Sequence, residues 1–311
     1  MNPMPWHEEA WQRLRQRRER NQLPHALMLS GPSGLGKRVF SERLQRALLC
    51  AEPVHGDACG HCRTCLLLDA GTHPDRVCIS FEERKDGVLR KEIVVHQIRA
   101  LSERLSKSSQ FGGWQVACID PADAMNASAY NALLKTLEEP TAASILILVA
   151  DAPWRLPATI RSRCQRIEFR MPPRAEALQW LQAEGVEQAA AALDASAGNP
   201  GLARDWADGE ALEQRKQVRA DLAALAAGRS EPGAVATRWA GDAPEQRLWF
   251  AAQAVVEELR ARSSNQPDVL HSTLPSPALA GWYAKANKAR DALRGPLRND
   301  LVVLELLCDW R

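Results

Sequence analysis

Gly31-Pro-Ser-Gly-Leu-Gly-Lys37-Arg38 is one residue away from a phosphate-binding loop. The pattern for such loops is G-x-x-x-x-G-K followed by Ser or Thr. Gly31, Gly36 and Lys37 meet it, and Gly34 adds a glycine inside the turn. The last position, where a hydroxyl would hold Mg²⁺, is Arg38. A guanidinium is a permanent cation with no lone pair to offer, so it cannot ligate a metal.

The flanks supply the context that the motif requires. Ala26-Leu-Met-Leu-Ser30 is a short apolar run that ends at the loop. Val39 to Leu49 has helical spacing, with Val39, Leu44 and Leu48 apolar. A strand, a glycine-rich turn and a helix in that order place backbone N–H groups and a helix N-terminus around a phosphate, with Lys37 reaching its terminal oxygens. Further strands are predicted at Arg76–Phe81, Trp114–Asp120, Ile145–Val149 and Ile167–Phe169, and a helix over Ala124–Glu139 stopped by Pro140. The run Ile145-Leu-Ile-Leu-Val149 is apolar throughout, as a strand buried on both faces should be. Strands alternating with helices predict an α/β fold with a parallel sheet covered on both sides.

Hydrolysis needs more than a cradle. It needs Mg²⁺, an acidic residue at the end of a neighbouring strand and a group that positions water. Asp120 ends its strand and could serve the metal. Pro121, Ala122 and Asp123 follow, so an Asp-Glu pair is absent. Weak ATP or ADP binding at Gly31, Gly34, Gly36, Lys37, Arg38 and Asp120 stays open, and turnover is not expected.

Past Met171-Pro172-Pro173 no convincing strand appears. Short helices are expected at Ala175–Ala183, Glu187–Ala195 and Leu202–Ala207, with a turn at Gly198–Gly201. From about Glu210 the helices lengthen and become rich in Ala and Leu. A chain of 311 residues suggests two or three domains. Boundaries near 171 and 209 give 1–170, 171–209 and 210–311.

The formal net charge of +2 is too small to predict nucleic-acid binding by itself. The basic run Arg13, Arg15, Arg17, Arg18 and Arg20 reads as the solvated face of a helix. No run of 18 apolar residues exists, so no membrane span is expected. The N-terminus is polar and Arg-rich without an apolar h-region, so a cytoplasmic location is expected. In that reducing compartment the eight cysteines are thiols or metal ligands, not disulfides. Cys50, Cys59, Cys62 and Cys65 form C-x8-C-x2-C-x2-C, a spacing suited to a closed structural zinc site. Cys78, Cys118 and Cys308 lie in apolar runs and are expected to be buried.

Leu156-Pro-Ala-Thr-Ile-Arg-Ser162-Arg163-Cys164 follows the last long strand. Taken alone, its two arginines read as a solvated pair. Together with the phosphate loop and Asn131-Ala-Leu-Leu-Lys-Thr-Leu-Glu-Glu-Pro140, however, the segment resembles the clamp-loader branch of the AAA+ ATPases. The four-cysteine insertion is similar to that of the branch's bacterial members. The degenerate loop points to their non-hydrolysing subunits. The resemblance runs from about Leu23 through Glu168 and continues weakly to Pro296–Leu307, which is similar to the family's closing helix.

The resemblance implies a specific role. Arg163 would be a finger that projects into the ATP site of a neighbouring subunit. Ser162 and Cys164 would shape its loop. Arg161 is a competing finger that sequence alone does not separate from it. The resemblance also implies an AAA+ large domain at 1–170, a helical lid at 171–209 and a helical collar at 210–311. The partners implied are delta and gamma or tau subunits in a heteropentameric ring that loads a sliding clamp onto primed DNA. Active relatives carry Thr or Asn where this chain has Ala150-Asp151, and a lid arginine where it has Gly201, with Arg204 one turn further on. Two other readings stay open: an ATP-hydrolysing subunit of the gamma or tau kind, and a stand-alone zinc protein that binds nucleic acid.

Overall fold

The computed structural model describes residues 4–310 apart from positions 85, 142, 208, 265, 268, 269, 271, 294 and 296. The chain divides into two compact units, Met1–Glu176 and Ala177–Arg311.

The first unit is built on five parallel strands: β1 (Ala26–Ser30), β2 (Arg76–Ile79), β3 (Gln115–Ile119), β4 (Ser144–Ala150) and β5 (Gln165–Glu168). Their spatial order is β2-β3-β4-β1-β5. The register pairs Ser30 with both Ala150 and Glu168, and Ile119 with Leu148. The three central strands are buried at every position, which explains their unbroken apolar runs.

Because strand side chains alternate between faces, the same strands feed two cores. Leu27, Leu29, Val116, Cys118, Ile145 and Ile147 join Trp11 and Leu14 of α1 (Glu8–Glu19) and Phe40, Leu44 and Leu48 of α2 (Lys37–Leu49). After α3 (Arg63–Asp69) and β2, the chain covers the opposite face. Met28, Ala117, Ile119, Leu146 and Leu148 pack there against Ile98 and Leu101 of α4 (Val95–Leu105) and Leu133 and Leu137 of α5 (Ala127–Glu138). Neither α3 nor α4 is among the elements expected from sequence. The helix expected over Ala124–Glu139 starts later, after a 3-10 turn at Ala122–Ala124. Asn126 resets it by accepting a hydrogen bond from Ala129 N at 3.0 Å. A short helix, α6 (Ala158–Arg161), lies between β4 and β5.

The remaining helices are α7 (Arg174–Ala183), which begins just ahead of the unit boundary, α8 (Ala189–Ala195), α9 (Pro200–Asp205), α10 (Glu210–Ala226), α11 (Pro232–Gly241), α12 (Pro244–Ser263), α13 (Ser276–Ala292) and α14 (Asn299–Cys308). The second unit has no strand among its described residues. The expected turn at Gly198–Gly201 is shorter than predicted. Asn199 caps α9 by accepting from Leu202 N at 3.2 Å, and Pro200 sits in the first turn, where its missing N–H is harmless. Trp239, Leu248, Val255, Trp282, Val303 and Leu307 fill the core of the longer helices. The closing helix expected at Pro296–Leu307 corresponds to α14, while Pro296 itself lies outside the described residues. Among the described residues no helix is long and apolar enough to cross a membrane.

Two of the three cysteines expected to be buried are exposed. Cys118 is buried on central β3, but Cys78 sits on β2, the edge strand, and Cys308 on the open face of the last turn of α14.

Candidate functional site

The glycine loop leaves β1 at the C-terminal edge of the sheet, where ligands bind in open α/β folds. Its backbone takes positive φ at Gly31, Gly34 and Gly36, and at two of these a side chain would also collide with a neighbour. Gly36 has φ +76°, and a Cβ there would run into the Met4 sulfur and the His7 ring. Gly31 has φ +144°, and a Cβ would meet the carbonyl of Phe169. The segment Met4–His7 therefore packs directly on the loop. His7 Nε2 lies 2.7 Å from the Leu35 carbonyl. A carbonyl only accepts, so that nitrogen carries the proton. Burial pushes the His7 pKa below its ordinary 6.5, which keeps the ring neutral. Phe40 and Phe169 meet it edge-on, at 5.6 and 5.2 Å.

Lys37 opens α2 with a side chain only 1% exposed. Its Nζ donates to the carbonyls of Gly31 at 2.7 Å and Pro32 at 2.6 Å, and lies 2.6 Å from Asp151 Oδ1. Two of the three ammonium protons go to carbonyls, and the charge is met by Asp151. Burial lowers the Lys37 pKa, and Asp151 offsets this in part.

Arg38 fills the space where a metal would sit. Its Nε is 2.9 Å from Asp120 Oδ2, and its Nη2 is 2.9 Å from Asp120 Oδ1 and 3.1 Å from Asp151 Oδ2. Asp120 follows β3 and Asp151 follows β4, so the guanidinium ties two strand ends to α2. Two cations and two carboxylates form a neutral quartet. Burial would raise the Asp151 pKa, but Lys37 and Arg38 outweigh it and hold it below the ordinary 3.8. For Asp120 burial wins, helped by the nearby Asp151, and its pKa stands above that value. Asp123, which sequence reading treated only as a missing partner of Asp120, accepts from Asp151 N at 3.2 Å and Ala152 N at 3.1 Å. It fixes the backbone that carries Asp151. The structure thus brings Gly31, Gly34, Gly36, Lys37, Arg38 and Asp120 together, and adds Asp151, Asp123 and His7.

Beyond Asp151 the chain makes an exposed excursion before β5. Leu156, Ile160 and Cys164 anchor it in the core, at 2%, 0% and 8% exposure. Arg161, Ser162 and Arg163 face outward. Arg163 Nη1 donates to the Thr159 carbonyl at 3.0 Å, and its Nη2 is 2.7 Å from Glu138 Oε1 at the end of α5. Burial pushes the Cys164 thiol up to about 12, so it is a packing group and not a nucleophile.

Cys50, Cys59, Cys62 and Cys65 converge as their spacing suggests. Their sulfurs all lie within 4.8 Å of one another. The separations are 3.6 Å for Cys50–Cys59, 3.8 Å for Cys50–Cys62 and 4.0 Å for Cys59–Cys65. Cys50 ends α2, and Cys62 and Cys65 flank the start of α3. Four thiols set by two helix ends could hold a metal ion.

The family described as DNA polymerase III, delta subunit, matches the chain over residues 6–173. DNA polymerase III subunit delta' of Pseudomonas aeruginosa is 40% identical over 218 residues, covering 69% of this chain and 64% of that protein. The subunit of that name from Escherichia coli is 35% identical over 222 residues, covering 70% of this chain and 65% of that protein. The matched part is therefore just under two thirds of each relative's length. Among solved structures, a DNA polymerase III gamma subunit-related protein from Thermotoga maritima superposes with a TM-score of 0.50 at 15% identity, covering 96% of this chain and 97% of that one. That likeness is one of fold: a parallel-sheet α/β domain followed by helices.

Proposed function

This chain belongs to the DNA polymerase III delta-subunit family, and we propose that it works as the delta' subunit of a clamp loader in DNA replication. In this reading it is a non-hydrolysing stator. It joins delta and gamma or tau subunits in a heteropentameric ring that loads the sliding clamp onto primer-template DNA in the cytoplasm. Residues 1–170 form the large domain, 171–209 a lid and 210–311 a collar that closes the ring.

The observation that carries the non-hydrolysing role is the engagement of Lys37 and Arg38 by Asp151 and Asp120. Lys37 is turned to Asp151 and two carbonyls where it would have to reach a phosphate, and Asp120, which would serve Mg²⁺, is paired with Arg38. This weighs against the ATP-hydrolysing reading of the gamma or tau kind. The chemistry moves to Arg163. A planar, permanently charged guanidinium can neutralise the charge that spreads over a transferring γ-phosphoryl group in a neighbouring subunit. The contacts of Arg163 with Glu138 and the Thr159 carbonyl favour it over Arg161 as the finger in this reading.

The metal is zinc in this proposal. Ligands about 2.3 Å from a tetrahedral Zn²⁺ stand about 3.8 Å apart, and the sulfur separations above bracket that spacing. Cys50, Cys59, Cys62 and Cys65 would hold the ion as a closed structural site. The test of the whole reading is reconstitution with delta and gamma subunits, reading co-elution and ATPase rate together. Failure to enter the ring would remove it.

A further inference from the structure

We propose that Asp151 is the resident anion of the phosphate cradle. Its carboxylate, carried by the chain itself, stands against Lys37 in the place of a nucleotide phosphate, while Arg38 stands in the place of the metal. The inference rests on reading Gly31–Arg38 as a retired nucleotide loop, and it says what retired it.

The geometry is that of a ligand and its receptor. A cradle lysine is built to meet an anion at the C-terminal edge of the sheet. Here an anion is already there, 2.6 Å from Nζ. Its second oxygen is bridged at 3.1 Å by a cation that also binds Asp120. A phosphate with its Mg²⁺ would present the same alternation of negative and positive charge to Lys37 and Asp120. The internal version has two advantages over a free ligand. It is tethered, so it loses no translational freedom on binding. It is also preorganised, because Asp123 grips the backbone N–H groups of Asp151 and Ala152. A nucleotide would have to displace a largely buried ion pair and leave Asp151 facing its own phosphates. Like charges at that distance repel, so exclusion follows from charge as well as from space.

The arrangement has a mechanical side. Asp151 is the first residue of the excursion that carries Arg163. In a nucleotide-dependent domain the contacts at this point would come and go with the ligand. Here they are made by the chain, so the base of the excursion has one state.

The test uses the isolated chain, with Mg·ATP and Mg·ADP as probes in titration calorimetry. Wild type, Asp151→Ala, Arg38→Thr and the double variant are compared. Wild type is expected to give no saturable binding. Asp151→Ala frees Lys37, and Arg38→Thr supplies the hydroxyl that the loop lacks. The double variant is expected to bind at least about tenfold more tightly than wild type, a readily measured difference. Wild-type binding as tight as the double variant's would overturn the inference, and so would a folded double variant that binds neither probe. If Asp151→Ala does not fold, the isosteric Asp151→Asn takes its place and must bring the same gain. No partner subunit enters this experiment, so its failure is distinct from a failure to enter the ring.

Discussion

Arg163 Nη2 lies 2.7 Å from Glu138 Oε1, and this contact joins the two motifs that sequence reading had found separately. Glu138 closes the Asn131–Pro140 stretch and Arg163 is the centre of Ser162-Arg163-Cys164. Both side chains are well exposed, at 50% and 37%. An exposed pair of this kind contributes about 0–1 kcal/mol. It can hold the guanidinium ready and release it at little cost to a stronger anion.

Arg163→Ala is therefore expected to leave folding and ring entry unchanged. ATP turnover at the neighbouring site should fall by about 10³-fold or more, the usual contribution of a finger supplied in trans. The measurement is the DNA-stimulated ATPase rate of the reconstituted ring beside its elution profile. Arg163→Lys should not restore the rate, because an ammonium lacks the planar fork. An unchanged rate in Arg163→Ala would return the role to Arg161.

Lys37→Ala should act on stability and not on ring activity. It leaves the Gly31 and Pro32 carbonyls without a donor and takes from Asp151 one of its two countercharges. A loss of about 2–4 kcal/mol is expected from such a break, read as a shift of the urea midpoint at constant slope. A drop in ring ATPase with unchanged stability would contradict the assignment.

The pH dependence follows from Asp151. Its folded pKa lies below the ordinary 3.8, so the ionised form stabilises the fold. That contribution is complete above 3.8 and is lost as pH falls through the lower folded value. The stability difference between wild type and Asp151→Asn should hence be flat from about pH 8 to pH 5 and shrink only in stronger acid. Asp120, whose pKa is raised, protonates first on the way down and loosens Arg38 before Lys37 lets go of Asp151. Urea midpoints of both proteins across this range decide the matter. A difference that vanishes already near neutrality would contradict the pairing.

The cysteine site predicts about one equivalent of Zn²⁺ in purified protein, and less than about half would count against it. Cys65 is the most enclosed of the four, with 0% exposure. Cys65→Ser should release the metal and lower the melting temperature, and chelation of wild type should reproduce that change.

Much of this was legible in the sequence because it was local. The loop, the strands and the cysteine spacing are patterns within a few residues, set by glycine backbone freedom, strand burial and thiol geometry. What escaped notice depended on register between distant segments. Arg38 and Asp151 are 113 positions apart and meet only because β1 and β4 are neighbours. Asp151 looked like a lost polar residue, yet it is the partner of the loop lysine. The packing of Met4 and His7 on Gly36 left no sequence signal at all. Helix α4 did leave one, in the spacing of Ile98, Leu101 and Leu105. The exposure of Cys78 depended on strand order, which apolar runs do not encode.

The neutral quartet constrains how this chain can diverge. Changing Lys37, Arg38, Asp120 or Asp151 alone strands a half-buried charge, so the first step away from the present set is penalised whichever residue takes it. The four positions should drift as a group or not at all. A near-complete glycine–lysine signature can then persist for many generations after its ligand has gone. The loop's glycines and lysine alone would suggest a nucleotide site, whereas Arg38 and the carboxylate opposite the lysine speak for a different use of the same turn.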